Sequence, residues 1–109
     1  MSKPSEVLQG TLDLMILRTV ELRPMHGVGV AERICQLTNG VFVVKAGSLF
    51  PALHRLEGKG WLESHWGETE EGRRAKLYTL TRAGKAQLLA EKRNFRKVFH
   101  AMNQVLEGE

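Results

Sequence analysis

The sequence predicts a mainly α-helical chain with one small β-hairpin, and three observations predict it. Apolar residues recur at helical spacing in three separate stretches before Gly60. Two β-prone segments, "WLESHW" and "AKLYTL", then flank the polar, turn-rich "GETEEGRR". Finally, Leu88, Phe95, Phe99, Met102 and Leu106 form a stripe at steps of seven, four, three and four, close to a heptad seam.

The first helix covers "LQGTLDLMILRTV". Leu8, Leu12, Met15, Ile16 and Val20 share one face, and Leu14 and Leu17 fill another. A helix apolar nearly all round needs cover on more than one side, and in so short a chain a partner subunit is the natural cover. Pro24 and Gly27 in "RPMHG" break the pattern. A second helix follows over "VGVAERICQLT", with Val28, Ala31, Ile34, Cys35 and Thr38 on one face, and stops at Asn39–Gly40. "VFVV" is a short β-prone run. The third helix is "GSLFPALHRLEGKGW", with Ser48 expected as its N-cap and Gly58 and Gly60 as its stop. That start would put Pro51 in the first turn, where the missing N–H costs little. Thr81 caps a last long helix running towards Leu106.

Three helices, a hairpin and a terminal helix make the winged helix-turn-helix plan. We expect a winged helix unit over 1–81 and a dimerisation helix over 82–109, joined as one continuous structural unit.

The totals fit such a reading without dictating it. The chain has 109 residues, enough for one core, and a net charge of +4 with 16 Lys and Arg against 12 Asp and Glu. That modest excess permits a nucleic acid partner. Cys35 is the single cysteine, so no internal disulfide forms, and the chain reads as cytoplasmic. The opening "MSKPSEVLQG" has no apolar stretch like that of a signal peptide, and no run reaches the ~20 apolar residues that span a bilayer.

Catalysis finds no support in the residues. His26, His54, His65 and His100 have no metal-ligand spacing, so neither metal nor cofactor is expected. Cys35 sits on an apolar face and reads as a small core residue. "GVGVAER" lacks the third glycine and the preceding strand of a dinucleotide fingerprint.

The third helix carries the sharper signal. With Leu49, Ala52, Leu53 and Leu56 inward, Ser48, Pro51, Arg55 and Lys59 point outward, and Phe50 and His54 lie on the flank. Most such faces are merely solvated. Here Lys45 precedes the helix, amides at Gly47 and Ser48 sit at the positive end of the helix dipole, and Phe50 is an apolar ring on a side the leucines do not need, open either to inward packing or to contact with a thymine methyl or a sugar. Arg73, Arg74 and Lys76 in the hairpin suit a phosphate backbone, although Glu68, Glu70 and Glu71 beside them partly cancel the field. The terminal stripe continues past Phe95 with nothing left in the chain to cover it, which predicts a symmetric dimer. Leu8, Leu12, Met15, Leu88, Phe95, Phe99, Met102 and Leu106 are the candidate interface.

"LQGTLDLMILRTV", "PMHGVGVAERI", "GSLFPALHRLEGKGWL" and "RRAKLYTLTRAGKAQL" together resemble the PadR family of bacterial transcriptional regulators, in its short form with a single C-terminal helix. The resemblance covers about residues 8–90; the last helix is matched by position and length. It implies a homodimeric repressor that occupies palindromic operators in double-stranded DNA. Ser48, Phe50, Pro51 and His54 would touch DNA from the recognition helix, and Arg73, Arg74 and Lys76 from the wing. The first and last helices would form the dimer interface. A small aromatic effector would release DNA, with Leu12, Met15, Phe95 and Phe99 as candidate lining. Two departures stand out: the family usually has tyrosine at Phe50 and often an aromatic at Val28. The alternative is a winged helix that binds protein, or senses a ligand, without sequence-specific DNA binding.

Overall fold

Helix α1 (Pro4–Leu22) forms the floor of the fold. The computed structural model describes residues 4–108, with side chains from residue 10 onward. Ile16, Leu17 and Val20 are buried, while Leu12, Leu14 and Met15 are half-buried against the same core. The buried Thr19 hydroxyl donates to the Met15 carbonyl at 2.7 Å, so its burial leaves no unmade hydrogen bond.

The chain then forms a two-residue strand, β1 (Met25–His26), where the sequence suggested only a break. Two residues carry no readable alternation; the strand exists because a later one pairs with it. Helix α2 (Gly27–Leu37) buries Gly27, Val30 and Ile34. The expected stripe is therefore rotated: Val28 is exposed, and Ala31 and Cys35 are half-buried. The helix ends where expected, with Asn39 and Gly40 at positive φ (52° and 81°). Their N–H groups donate to the carbonyls of Gln36 and Cys35, as in a Schellman close.

"VFVV" forms no strand. Val44 packs on the core and Val41, Phe42 and Val43 are exposed. β-propensity becomes a strand only where a neighbouring strand is in reach.

Helix α3 (Ala46–Gly58) starts earlier than expected, with Lys45 rather than Ser48 as N-cap. The N–H groups of Ser48 and Leu49 both donate to the Lys45 carbonyl, at 3.0 and 2.9 Å. Pro51 thus lies in the second turn, where it removes the bond its N–H would make to Gly47. Both residues lie on the exposed side. The inward residues are Leu49, Ala52, Leu53 and Leu56, as the spacing predicts. Gly60, at φ 78°, closes the helix as its N–H reaches the Glu57 carbonyl and that of Trp61 reaches Leu56.

Strands β2 (Leu62–Glu68) and β3 (Arg74–Leu80) form the hairpin, and β1 joins the far edge in the order β1-β3-β2. The register runs from Leu62↔Leu80 to Glu68↔Arg74, so the connection shortens to residues 69–73. Gly72 takes positive φ there, and the Thr69 hydroxyl accepts from the Arg73 N–H.

Helix α4 (Arg82–Glu107) begins as expected: the Thr81 hydroxyl accepts from the Gly84 N–H at 2.9 Å and donates to the Gly60 carbonyl at 2.7 Å. A Cβ at Gly84 would stand 2.1 Å from the Trp61 carbonyl oxygen, so only glycine lets α4 seat here. Leu88 then enters the shared core with Ile16, Leu17, Leu53 and Leu62. Each such side chain contributes about 1.5–3 kcal/mol on burial. Past Lys92 the helix leaves the core. The molecule measures 56 × 29 × 24 Å with a radius of gyration of 15.1 Å, against ~13 Å for a compact chain of this length.

Candidate nucleic-acid interface

Burying four residues of α3 leaves Gly47, Ser48, Pro51, His54 and Gly58 on one exposed side. Lys45 stands exposed at its head. Phe50 lies at the margin, 40 % exposed. Its ring is pressed against α2: a Cβ at Gly27 would come within 2.8 Å of the ring. The outer edge of Phe50 remains open while its position is fixed.

Arg55 corrects the expectation of an outward cation. Its guanidinium donates to the Asp13 carboxylate of α1 at 2.5 Å, and both side chains are largely covered. Arg55 therefore clamps α3 to α1. Burial pushes the Asp13 carboxyl above its usual range, against the pull of Arg55 and Lys59. A signal for this pair was present: Asp13 is the one charge within "LQGTLDLMIL", and a carboxylate on a covered helix requires a partner. Lys59 is exposed, with its ammonium 4.7 Å from the centre of the Trp61 ring.

The wing continues from the end of α3. The Ser64 hydroxyl donates to the Glu57 carboxylate at 2.5 Å, and the Lys76 ammonium lies 3.5 Å from its other oxygen. The Ser64 hydrogen bond, with help from Lys76, holds the Glu57 carboxyl below its usual range in spite of partial burial. Lys76 is thus tied to α3 as well as available at the surface. Tyr78, buried beneath that ammonium, has its phenol pushed up by burial. Arg73 and Arg74 are exposed at the tip, and the Arg74 guanidinium rests over the Trp66 ring at 4.8 Å. Glu68, Glu70 and Glu71 are exposed beside them, so the tip is mixed in sign. The sequence reading gave Trp66 no role beyond a strand.

The candidate dimer residues divide. Leu88 is 1 % exposed within its own protomer and so cannot meet a partner; it is a core residue, because the first two turns of α4 lie over α1 and the sheet. Phe95, Phe99, Met102 and Leu106 are all exposed, together with Val98 and Val105. The Phe95 and Phe99 rings stack with centres 5.9 Å apart. Leu12 and Met15 are half-buried on α1, and the side chain of Leu8 lies outside the described residues. Of the four candidate effector residues, Leu12 and Met15 thus lie half-buried on α1, and Phe95 and Phe99 exposed on α4. A cleft of about 810 Å³ lies elsewhere, between α2 and the wing tip, with Arg23, His26, Arg33 and Glu70 on its walls.

Among the described residues no helix is long and apolar enough to cross a membrane, and no group of three or more His, Cys, Asp or Glu could hold a metal. The arrangement is one of binding surfaces.

Known proteins share the pattern. The family described as "Transcriptional regulator PadR-like family" matches residues 16–90. A transcriptional regulator of Mycobacterium tuberculosis is 30 % identical over 104 residues, covering 95 % of this chain and 91 % of its own length. The crystal structure of a PadR-like transcriptional regulator from Bacillus cereus superposes with a TM-score of 0.81 at 25 % identity, covering 95 % of this chain and 99 % of that one. A PadR family transcription regulator from Clostridium difficile superposes with a TM-score of 0.75 at 30 % identity, covering 87 % of this chain and 97 % of that one. With its family model matched across both the helix-turn-helix and the wing, and 95 % of its length matched by regulators of the same short build, this chain belongs to the PadR-like family of winged helix, DNA-binding transcriptional regulators.

Proposed function

We propose that the chain acts as a homodimeric repressor that binds a palindromic operator and is released by a small aromatic effector. The observation that carries the reading is the division of labour between two exposed surfaces. The outer side of α3 has no task in the core, and the apolar stripe on the projecting half of α4 has no cover. A second copy covers that stripe by an isologous contact through Phe95, Phe99, Met102 and Leu106, with Leu12 and Met15 of α1 at its margin. The two-fold axis then presents two copies of α3 to successive major-groove turns.

On each half-site Ser48, Pro51, His54 and the open edge of Phe50 face base edges and sugars, and Lys45 and Lys59 flank them. Arg73, Arg74 and Lys76 meet the phosphates. Phe50 offers apolar contact to a thymine methyl and, lacking a hydroxyl, no hydrogen bond. A flat effector would wedge against the stacked Phe95–Phe99 pair beside Leu12 and Met15, altering the separation of the two α3 helices.

The test joins two measurements. Sedimentation should give a dimer at micromolar concentration, and selection from random duplexes should return a palindrome with half-sites about one helical turn apart. Affinity should fall steeply with salt as counterions are released. Weak binding that ignores sequence would favour a protein-binding module instead. A chain that stays monomeric under all conditions overturns the dimer.

A further inference from the structure

Trp66 is the feature the reading above leaves unused. It is 63 % exposed, on a strand, in a chain with only two tryptophans. A solvated polar residue would serve a bare hairpin as well, and an exposed indole adds apolar surface with no core return. Its surroundings are therefore informative.

Side chains alternate along a strand and paired residues share a face. The register puts Leu62 and Leu80, Ser64 and Tyr78, Trp66 and Lys76, and Glu68 and Arg74 on one face of the hairpin. Ser64 and Lys76 both bond to Glu57 of α3, so this is the face turned to the recognition helix. His54 lies one turn from Glu57, near enough to bear on its charge. A continuous line thus runs from the exposed side of α3, through Glu57 and Lys76, to Trp66 and Arg74.

On that line Arg74 has two possible partners. Glu68 stands directly opposite it in the register. Trp66 is the diagonal neighbour, within reach of a long side chain. The guanidinium lies over the indole, 4.8 Å from the ring centre, and no ion pair joins it to Glu68. An Arg paired with Glu68 would have to give up that pair to reach a phosphate; an Arg lying on an indole keeps its planar fork of donors free, with fewer rotamers left to lose. Lys76 rests over Tyr78 on the same face. At 5.9 Å that contact is at the outer limit, and Lys76 is held chiefly by the Glu57 carboxylate 3.5 Å away, so on this face Arg74 is the cation held by a ring and Lys76 the one held by a charge.

We propose that Trp66 is a positioning residue for DNA binding: its indole holds the Arg74 guanidinium on the α3-facing side of the wing, away from Glu68, ready to engage the phosphate backbone beside the groove that α3 enters. The inference rests on the reading of α3 and the wing as the DNA-binding surface. The stack orders the free protein, so its contribution appears on binding as a smaller entropic cost for Arg74.

The experiment is a double-mutant cycle on the operator recovered by selection, with Trp66→Ala, Trp66→Phe, Arg74→Ala and Trp66→Ala/Arg74→Ala, read as affinity across a salt series. Each operator holds two protomers, so Arg74→Ala should lower the log–log salt slope by about 1.8. Trp66→Ala should weaken binding about 2- to 5-fold per half-site, about 4- to 25-fold for the dimer on its palindrome. In the Arg74→Ala background it should add almost nothing, since the residue it positions is gone. Trp66→Phe should restore part of the loss, and melting curves should show each variant folded, because the indole is mostly outside the core. Glu68→Gln in the Trp66→Ala background should recover binding by removing the competing carboxylate. If Arg74→Ala binds as the parent does, the wing reading fails and takes this proposal with it. If Arg74→Ala weakens binding and Trp66→Ala does not, or if the two losses simply add, the wing stands and the positioning role is overturned.

Discussion

Helices α3 and α4 are both amphipathic, and they leave opposite halves unused. α3 buries its whole apolar side, Leu49, Ala52, Leu53 and Leu56, and offers water a small, polar and partly aromatic face. α4 buries Gly84 and Leu88 at its start, then carries an apolar stripe out into solvent, with Phe99 54 % and Leu106 76 % exposed. What a helix leaves over names its partner. A face of serine, proline, histidine and glycine lets a backbone approach a groove closely. A face of phenylalanine, methionine and leucine calls for another apolar surface.

The sharpest way to break the comparison is to charge the α4 stripe. Phe99→Asp should weaken self-association at least about 100-fold, since two unpaired carboxylates would enter a symmetric contact. The protomer's melting temperature, extrapolated to low concentration, should hardly move. Sedimentation that still reports the parental mass would place the interface elsewhere. Leu88→Ala makes the contrast within the same helix: a cavity in the protomer's own core should cost about 2–5 kcal/mol in denaturant unfolding. A small loss that depends on protein concentration would return Leu88 to the interface.

Two further changes sharpen the boundary between holding α3 and using it. Arg55→Ala leaves Asp13 largely covered and unpaired, and should destabilise the fold by about 1–3 kcal/mol. Its effect on DNA should follow stability, with no change in salt slope. Replacing Arg73 and Arg74 together by Ala should do the reverse. Stability should be unchanged while the log–log salt slope of the dimer–operator complex falls by up to about 3.6, two Arg being lost from each of two protomers. Equal salt slopes for the parent and the double variant would show the tip to be idle.

The smallest effect is expected from acid. Glu57 has a folded pKa below its unfolded value, so its contribution is present above the usual carboxylate range and is lost as pH falls through the folded value. Asp13 is raised, so its contribution is held at low pH and lost as pH rises through its folded value. The two slopes oppose each other. Ser64→Ala removes the main cause of the Glu57 shift and should steepen the rise of stability towards acid by under ~1 kcal/mol. A pH profile identical to the parent's would show that the Ser64 bond contributes nothing.

How much was legible follows from which forces are local. Thr81 was readable as a cap because a hydroxyl and an N–H three residues on need no other part of the chain. Asn39–Gly40 and Gly60 were readable as stops because positive φ is a property of single residues. Ser48 misled because a good cap residue lost to an earlier start. With Lys45 extended and its carbonyl taking two amides, the helix gained a turn, and Pro51 could be borne on the exposed side. "VFVV" and "MH" exchanged expectations, since strands are settled by neighbours distant in sequence.

The sequence by itself determined the order of the four helices and the hairpin, the inward face of α3, the length of the last helix and the presence of a leftover apolar stripe, because spacing and caps act over a few residues. Tertiary structure alone decided that Arg55 pairs inward with Asp13, that Leu88 belongs to the protomer's own core, that β1 exists, and that Arg74 lies on Trp66 rather than beside Glu68. Each of those is a choice between partners that periodicity leaves equal. Only the packed geometry sets the distances, and charge pairing and burial both depend on distance.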